Sequence, residues 1–500
     1  MRNEEYGRDS PIAAFATIPG KSAITLIRCS GKGSIECAAD VFSAGKRLTQ
    51  AEGNTIIHGW IVVPHEKLGM GSGERGKEGR VDEVLVSVFR APKSYTGEDG
   101  LDVCCHGGVT AGKAVLDTLK KSGFKDALPG EFTFRAFMNG KMDLTRAESV
   151  MELVSAKTDR SRRHAVNRLS GVLENEINDI KKNIVEVLAG AEIFLDYSED
   201  EISMDSDEAA GRLPGQQLVW EALARLQKLA QSWRRERLYQ DGILAVIAGR
   251  PNAGKSSLFN LLLNEERSIV TEIPGTTRDW IEAWISIEGI PVRLADTAGL
   301  RESLDPVEKI GVERSRDLLE AAELVLYLID GTAGFTAEDR AFIGEFRQTE
   351  RGRIPLLLLW NKADIAPLSP ETVPAIAAGT LISVSAKTGK GIAELASAIA
   401  GAITAAIAGV AGQAQTADAA AGVSAGIVQT AAIGTARQKN LVAAAAAALE
   451  EALRLAEKEE PLDIIAPLLR EAVNALGEIT GEVSTADILE EMFSNFCVGK

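Results

Sequence analysis

Gly249–Phe259 reads GRPNAGKSSLF, the pattern G-x-x-x-x-G-K-S. An apolar, β-rich run, Ile243–Ala248, precedes it and a helix-like run, Lys255–Leu263, follows it. That context makes the motif a phosphate-binding loop between a strand and a helix. Glycine lets the loop bend until its backbone N–H groups point inward at an anion. Lys255 adds a point charge for β/γ phosphates, Ser256 a hydroxyl for Mg2+, and the helix N-terminus a favourable dipole end. The plain alternative is a glycine turn ahead of an amphipathic helix.

Asn252, Ala253, Gly254, Lys255, Ser256 and Ser257 are therefore expected at the phosphates, and the motifs that follow have the order of a GTPase. The segment Thr271, Glu272, Ile273, Pro274, Gly275, Thr276 and Thr277 contains the start of GTTRD, with Thr277 placed to give a second hydroxyl to Mg2+. Asp296, Thr297, Ala298 and Gly299 read DTAG at a strand end; Asp296 can hold a water on Mg2+ and the Gly299 N–H can sense the γ-phosphate. Asn361, Lys362, Ala363 and Asp364 read NKAD, again after an apolar strand. A carboxylate there can accept from the N1–H and exocyclic amine of guanine, a donor pair that adenine lacks. Ser385, Ala386 and Lys387 read SAK and back the base with a main-chain N–H. Singly NKAD and SAK are weak signals. In order, each at a strand end, they specify GTP as substrate.

Leu300 follows DTAG. Small regulatory GTPases use a glutamine there to orient the attacking water, and leucine cannot. Glu302, Asp305 and Glu308 in the adjacent segment are the carboxylates that could do so, and at least two of the three are ordinary solvated loop side chains.

A chain of 500 residues exceeds one core and predicts roughly three domains. Strand candidates Ile243–Ala248, Trp280–Ile287, Val292–Asp296, Leu324–Ile329, Pro355–Trp360 and Thr380–Val384 alternate with helical runs, the pattern of a doubly wound α/β domain. Glu288–Pro291 joins two of them too closely for a crossover, so one antiparallel strand is expected. Before this domain, 11–123 reads as mixed α/β, with strands at Ala23–Arg28, Thr55–Val63 and Val81–Arg90 and an exposed hairpin loop at Leu68–Arg80. Apolar positions three and four apart, through Leu144, Ala147, Val150, Met151 and Val154 and then Leu169, Leu173, Ile177, Ile180, Ile184, Val187 and Ala191, predict long helices. Helices return at Leu441–Lys458, Leu462–Leu476 and Ser484–Phe496, after an Ala/Gly/Thr-rich stretch from Gly401 to Ala436 that reads as a loose linker or helical insertion. Each helical flank alone would leave an apolar face uncovered, so the simplest packing is one helical domain, built from both flanks, with the nucleotide domain inserted. The divisions are 1–140, 141–240, 241–403 and 404–500.

The net charge of −16 argues against broad nucleic-acid binding but not against a local basic patch, for which RSRRHAVNR at Arg160–Arg168 and RRER at Arg234–Arg237 are the candidates. Their ordinary alternative is a solvated helix face. No apolar run of about 18 residues predicts a membrane span, and MRNEEYGRDS reads as neither a secretion signal nor a transit peptide. Cys29, Cys37, Cys104, Cys105 and Cys497 show neither pairing nor metal spacing, which fits a reducing cytoplasm.

With its flanks, the chain resembles the MnmE (TrmE) family of tRNA-modification GTPases over nearly its whole length. The resemblance rests on SPIAAFATIPG and LIRCSG near the start, APKSYTGEDGLDVCCHGG at Ala91–Gly108, PGEFTFRAFMNGKMDLTRAE at Pro129–Glu148, and LGEITGEVSTADILEEMFSNFCVGK at Leu476–Lys500, with its C-x-G-K tail. Ribosome-assembly GTPases share GRPNAGKSSL, DTAG and NKAD but lack these flanks. The resemblance implies α/β plus all-α architecture: an N-terminal folate-binding-like α/β domain that dimerises, a helical domain from two chain segments, and an inserted Ras-like P-loop G domain. It implies a homodimer and a heterotetramer with the flavin-dependent MnmG (GidA). Together the two proteins place an aminomethyl or carboxymethylaminomethyl group on C5 of the tRNA wobble uridine, with the carbon taken from 5,10-methylene-tetrahydrofolate (or its 5-formyl relative as ligand).

It further implies that K+, held by Asn252, Thr271, Ile273 and Thr276, replaces an arginine finger when two G domains meet. Glu308 falls on the family's catalytic glutamate, Cys497 on a cysteine needed for modification, and Arg28, Glu98, Lys141 and Lys500 on folate-binding positions. Read without the resemblance, those four are surface ion-pair residues, and Cys497 is as much a small hydrophobe as a thiol. Lys21–Ser22–Ala23 departs from the family's Gly-Gly pair, so the loop beside the folate positions differs. The flavin belongs to the partner in this family, and no dinucleotide fingerprint occurs in this chain. The rival from another class is a GTP-controlled assembly or signalling switch without chemistry of its own, which would need neither the folate positions nor the terminal cysteine.

Overall fold

The computed structural model describes residues 10–63, 79–196, 213–265, 282–296, 317–348, 354–369, 381–408, 430–483, 486–494 and 496–499. They form two compact units, one of 1–151 with 473–500 and one of 152–472.

In the first unit a six-stranded sheet has the order β3-β4-β5-β2-β1-β6, from β1 (Ile12–Phe15), β2 (Ile24–Ser30), β3 (Thr55–Val62), β4 (Arg80–Phe89), β5 (Gly100–His106) and β6 (Lys125–Asp126). β3 and β4 pair antiparallel as the hairpin reading requires; most of the intervening Leu68–Arg80 stretch lies outside the described residues. Alternation along β4 turns Val84, Val86 and Val88 to a core shared with α1 (Ser34–Asp40), α2 (Gly45–Gln50) and α3 (Val109–Lys121), through Ile35, Leu48, Val115 and Leu119. Ile24, Ile56 and Leu85 remain exposed. At the other end α4 (Glu131–Met138) and the tail helix α14 (Ala486–Ser494) meet through Phe134 and Phe493, edge to face with centroids 5.4 Å apart.

α5 (Leu144–Ser155), α6 (Asp159–Leu169), α7 (Val172–Asp196) and α8 (Gln216–Asp241) follow. The predicted α7 stripe Leu173, Ile177, Ile180, Ile184, Val187 and Ala191 is buried throughout, whereas Val154, at the end of the α5 stripe, is exposed. α7 packs on α8, and α8 packs on α12 (Ala436–Glu457), from beyond the nucleotide domain. Helices from both flanks thus cover one another's apolar faces. The helix α13 (Leu462–Thr480) completes the C-terminal set. Part of the Ala/Gly-rich stretch belongs to the core: Ile433 is fully buried and its N–H donates to Ser232 Oγ in α8 at 3.2 Å. It is neither linker nor helix at that point.

The second sheet has the order β12-β11-β10-β7-β9-β8, from β7 (Ile243–Gly249), β8 (Glu282–Ile287), β9 (Ile290–Asp296), β10 (Leu324–Asp330), β11 (Leu356–Asn361) and β12 (Leu381–Ser383). All neighbours run parallel except β8 and β9. Their hairpin closes on Glu288 (φ 50°) and Gly289 (φ 81°), a two-residue turn whose positive φ values suit glycine at its second position. α9 (Lys255–Glu265) and α11 (Ile392–Ala408) contribute Leu258, Leu262, Leu395 and Ile399 to the core on one face; α10 (Ala337–Gln348) supplies Ile343 and Phe346 on the other. Every parallel strand therefore ends at the same edge, where open α/β sheets bind ligands. Among the described residues no helix is long and apolar enough to cross a membrane.

Candidate functional site

The loop between β7 and α9 is closed by its own lysine. Lys255 is buried and its Nζ donates to the Gly249 and Arg250 carbonyls at 2.9 Å each. The ammonium thus lies across the loop, where it can meet phosphate oxygens. Behind the loop Arg250 reaches the buried carboxylate of Asp339 at 3.7 Å, and Tyr327 donates to Asp339 at 2.9 Å. Burial first, then the Asp339 charge, pushes the Tyr327 hydroxyl far above its ordinary value.

Ser256 Oγ donates to Asp296 Oδ2 at 2.8 Å, which brings the first turn of α9 to the end of β9. The Asp296 side is buried. A hydroxyl and a carboxylate are hard oxygen donors of the kind Mg2+ takes. Asn252 holds φ at 62°, a left-handed conformation that asparagine tolerates, and so fixes the bend in the loop. Gly254 has φ 96°, and a Cβ there would lie 2.3 Å from Asn361 Nδ2. Only glycine fits.

Asn361 explains that close approach. Its Nδ2 donates to the Ala253 carbonyl at 2.7 Å and its Oδ1 accepts from the Ala386 N–H at 2.9 Å. One buried side chain thus joins the phosphate loop, the NKAD turn and the SAK turn. Ser385 Oγ donates to Asp364 Oδ1 at 2.7 Å, and that bond, ahead of a smaller opposing desolvation, holds the Asp364 carboxyl below its ordinary range. Asp364 therefore stays an anionic acceptor at the edge. Lys362, with φ 63°, pairs with Asp330 at 2.6 Å. Partial burial works to raise Asp330, but the bonds from Lys362 and Thr332 outweigh it and leave the carboxyl low.

Thr271, Glu272, Ile273, Pro274, Gly275, Thr276, Thr277, Thr297, Ala298, Gly299, Glu308 and Lys500 lie outside the described residues, as do Leu300, Glu302 and Asp305.

In the first unit Arg28, Glu98 and Lys141 gather around the 91–99 loop. Arg28 pairs with Asp102 at 3.3 Å and lies 5.6 Å from the centre of the Tyr95 ring. Glu98 accepts from Ser30 Oγ at 2.9 Å and Arg135 Nη1 at 3.2 Å, both on Oε2. Lys141 Nζ donates to the Pro92 carbonyl at 2.9 Å. A guanidinium from β2, a carboxylate from the loop and an ammonium from beyond α4 can meet a ligand that has both an amide edge and an anionic tail. Cys497 is exposed, and its carbonyl accepts from Gly130 N–H at 3.4 Å. Arg135 escaped the sequence reading. It is buried, held by Glu131 at 2.7 Å, and fixes Glu98. Its signal was an arginine inside the otherwise apolar FTFRAF.

Residues 11–141 match the family described as GTP-binding protein TrmE N-terminus, and 144–497 match the MnmE helical domain. The tRNA modification GTPase MnmE of Treponema denticola is 40% identical over 510 residues, covering 100% of both chains. That of Carboxydothermus hydrogenoformans is 38% identical and covers 98% of this chain and 100% of its own. Among solved structures, the G domain of the T. maritima FeoB iron transporter is 26% identical, covers 32% of this chain and 98% of its own, and superposes with a TM-score of 0.24.

Proposed function

The chain belongs to the MnmE family of tRNA modification GTPases, and from that premise we propose that it hydrolyses GTP to drive C5 modification of the wobble uridine in tRNA. The observation that carries this reading is the set of bonds Ser256–Asp296, Ala253–Asn361, Asn361–Ala386 and Ser385–Asp364 at one sheet edge. They support a metal-side pair, a phosphate cradle and a guanine acceptor in one site. Asp364 selects guanine, Lys255 neutralises the β/γ phosphates, and Ser256 and Thr277 provide the hydroxyls for Mg2+, with Asp296 behind a bound water. On this reading the segments Thr271–Thr277 and Thr297–Gly299 supply the further γ-phosphate contacts, the Gly299 N–H among them.

Leu300 leaves the attacking water without the usual glutamine, so Glu308 orients it. Asn252, Thr271, Ile273 and Thr276 hold K+, whose charge stands where an arginine finger would, in a site completed when two G domains of a homodimer meet. Arg28, Glu98, Lys141 and Lys500 bind 5,10-methylene-tetrahydrofolate, which supplies the transferred carbon, and Cys497 takes part in the modification step. The convergence of Arg28, Glu98 and Lys141 on the 91–99 loop supports that assignment. The flavin resides on MnmG, with which the chain forms a heterotetramer in the cytoplasm. Of the divisions 1–140, 141–240, 241–403 and 404–500, the third holds the nucleotide task alone, and residues of the other three share the folate and modification tasks.

The test is reconstitution. The purified chain is combined with the flavin-dependent partner, unmodified tRNA, methylene-tetrahydrofolate, ammonium or glycine as the source of the amine nitrogen, GTP and KCl, and the tRNA is digested for nucleoside analysis. Modified wobble uridine is expected only in the complete mixture. Its formation at full rate without GTP would overturn the coupling, and its absence from the complete mixture would overturn the modification reading.

A further inference from the structure

The two basic runs of the sequence, about seventy residues apart, meet where two helices cross. α6 and α8 pass each other antiparallel: Ser161 Oγ donates to the Tyr239 carbonyl, His164 Nδ1 meets Glu236 Oε1 at 2.9 Å, and Arg168 Nη1 meets Glu236 Oε2 at 2.7 Å. The charges at this crossing are sorted by side. Glu236 and Arg168, 1% and 2% exposed, face inward with Glu152, so both carboxylates are paired with the one guanidinium inside the crossing. Arg162, Arg163, Arg234, Arg235 and Arg237 face solvent, and Arg160 lies 4.1 Å over the Tyr239 ring. Burial raises the Tyr239 hydroxyl, against opposing pulls from Arg160 and then Arg235, so arginines of the two runs act on one ring. The local acids are Asp159, paired with Arg162 and Arg163 at 2.7 Å, and Asp241, paired with Arg237 at 3.2 Å. With Arg168, Glu152 and Glu236 counted in, seven arginines against four carboxylates leave three positive charges in a chain of net charge −16. Arg160 and Arg163, and likewise Arg234 and Arg237, are three apart on their helices, which spaces their Cβ atoms about 5–6 Å apart in two rows.

We propose that this α6–α8 surface binds the phosphate backbone of a folded RNA, the tRNA substrate. The proposal rests on the reading that the chain acts on tRNA. Guanidinium groups suit phosphate oxygens because their donors match them in pairs, and Arg160, stacked on Tyr239, is held in place before any ligand arrives. The surface carries no sequence code. It supplies affinity and orientation, while recognition of the base is left to the modification site. α6 also touches the strand pair between the two nucleotide-contact segments: Thr158 Oγ1 donates to the Gly289 carbonyl at 3.0 Å, and Lys157 Nζ lies 3.3 Å over the Trp284 ring. RNA bound on α6 therefore adjoins the hairpin of the nucleotide domain.

The test uses the full chain and the variant Arg163→Ala/Arg234→Ala/Arg235→Ala, all three at exposed positions outside the nucleotide site. Binding of tRNA is measured by fluorescence anisotropy over a range of KCl concentrations. The variant is expected to bind about tenfold or more weakly at low salt, and the slope of log K against log salt to shrink by about 2 to 3. Arg454→Ala/Lys458→Ala/Arg470→Ala, an equal loss of charge elsewhere, is expected to keep the slope, and the GTPase rate without RNA is expected to stay unchanged in both. Equal tRNA binding by the first variant and the unaltered chain overturns the assignment alone, whatever happens to binding of phosphatidylserine vesicles. No tRNA binding by the unaltered chain overturns both the assignment and the reading beneath it.

Discussion

Asn361 Nδ2 donates to the Ala253 carbonyl at 2.7 Å, across 108 residues of chain, and this bond makes the NKAD turn a structural part of the phosphate loop. The same side chain accepts from Ala386 N–H, so its loss would leave two main-chain groups without their partner. Each such group costs about 1–3 kcal/mol. Asn361→Ala is expected to weaken GTP binding at least about tenfold and to lower the denaturation midpoint of the nucleotide domain even without ligand. Isothermal titration and urea unfolding check both. Weakened GTP binding with unchanged stability would restrict Asn361 to direct contact with the base.

Asp364 is held as an anion by Ser385. Asp364→Asn replaces one acceptor by a donor, which suits xanthine, whose 2-position carries a carbonyl. GTP affinity is expected to fall about 100-fold, the worth of roughly 3 kcal/mol, while XTP affinity rises above it. Competition binding with the two triphosphates measures the reversal, and an unchanged preference for GTP would remove Asp364 from base selection.

Potassium gives a separate test of Asn252. GTP hydrolysis is expected to run faster in KCl than in NaCl at equal ionic strength, and Asn252→Ala to abolish the difference while GTP affinity changes little. Equal rates in both salts for the unaltered chain would contradict the potassium assignment.

The buried pair Glu236 and Arg168 predicts a pH signature. Burial works to raise Glu236, but His164 and Arg168 outweigh it and bring the carboxyl below its ordinary 4.5. A depressed folded value means that stability is fully present above about 4.5 and is lost as pH falls through the folded value. Removing one partner of a buried pair costs about 3–5 kcal/mol. Arg168→Ala is expected to be destabilised by that order at pH 7, and Glu236→Gln to lose part of the steep acid limb of the stability curve. Urea midpoints measured from pH 3 to pH 7 check this; parallel curves for Glu236→Gln and the unaltered chain would contradict it.

Much of the nucleotide domain was legible because its strands are apolar runs and its motifs sit at their ends. Trp280–Ile287 and Val292–Asp296 with their tight connection sufficed to place the antiparallel pair now seen as β8 and β9. The first unit was harder. β1 is four residues of IAAF, too short to show alternation, and in β5 the inward set Leu101, Val103 and Cys105 is blurred by the adjacent Cys104 and Cys105. Arg168 belongs to a run that reads as a basic patch or a solvated helix face, yet it is buried; its partner Glu236 is 68 residues away, and no local pattern announces the pair. Ile433 was hidden for the same reason: its Ala/Gly-rich surroundings look like a linker, and only the Ser232 hydroxyl from α8 shows that the segment is core. At the nucleotide site the residue types identified the chemistry, but the two bonds that Asn361 makes to Ala253 and Ala386 required the fold.

The most direct measurement is mass spectrometry of tRNA nucleosides from a strain lacking this chain, complemented either with the unaltered chain or with Glu308→Ala. The account predicts that C5-modified wobble uridines disappear in the deletion, return with the unaltered chain, and stay absent with Glu308→Ala, which still binds GTP. Wobble uridines that remain modified in the deletion strain would contradict it.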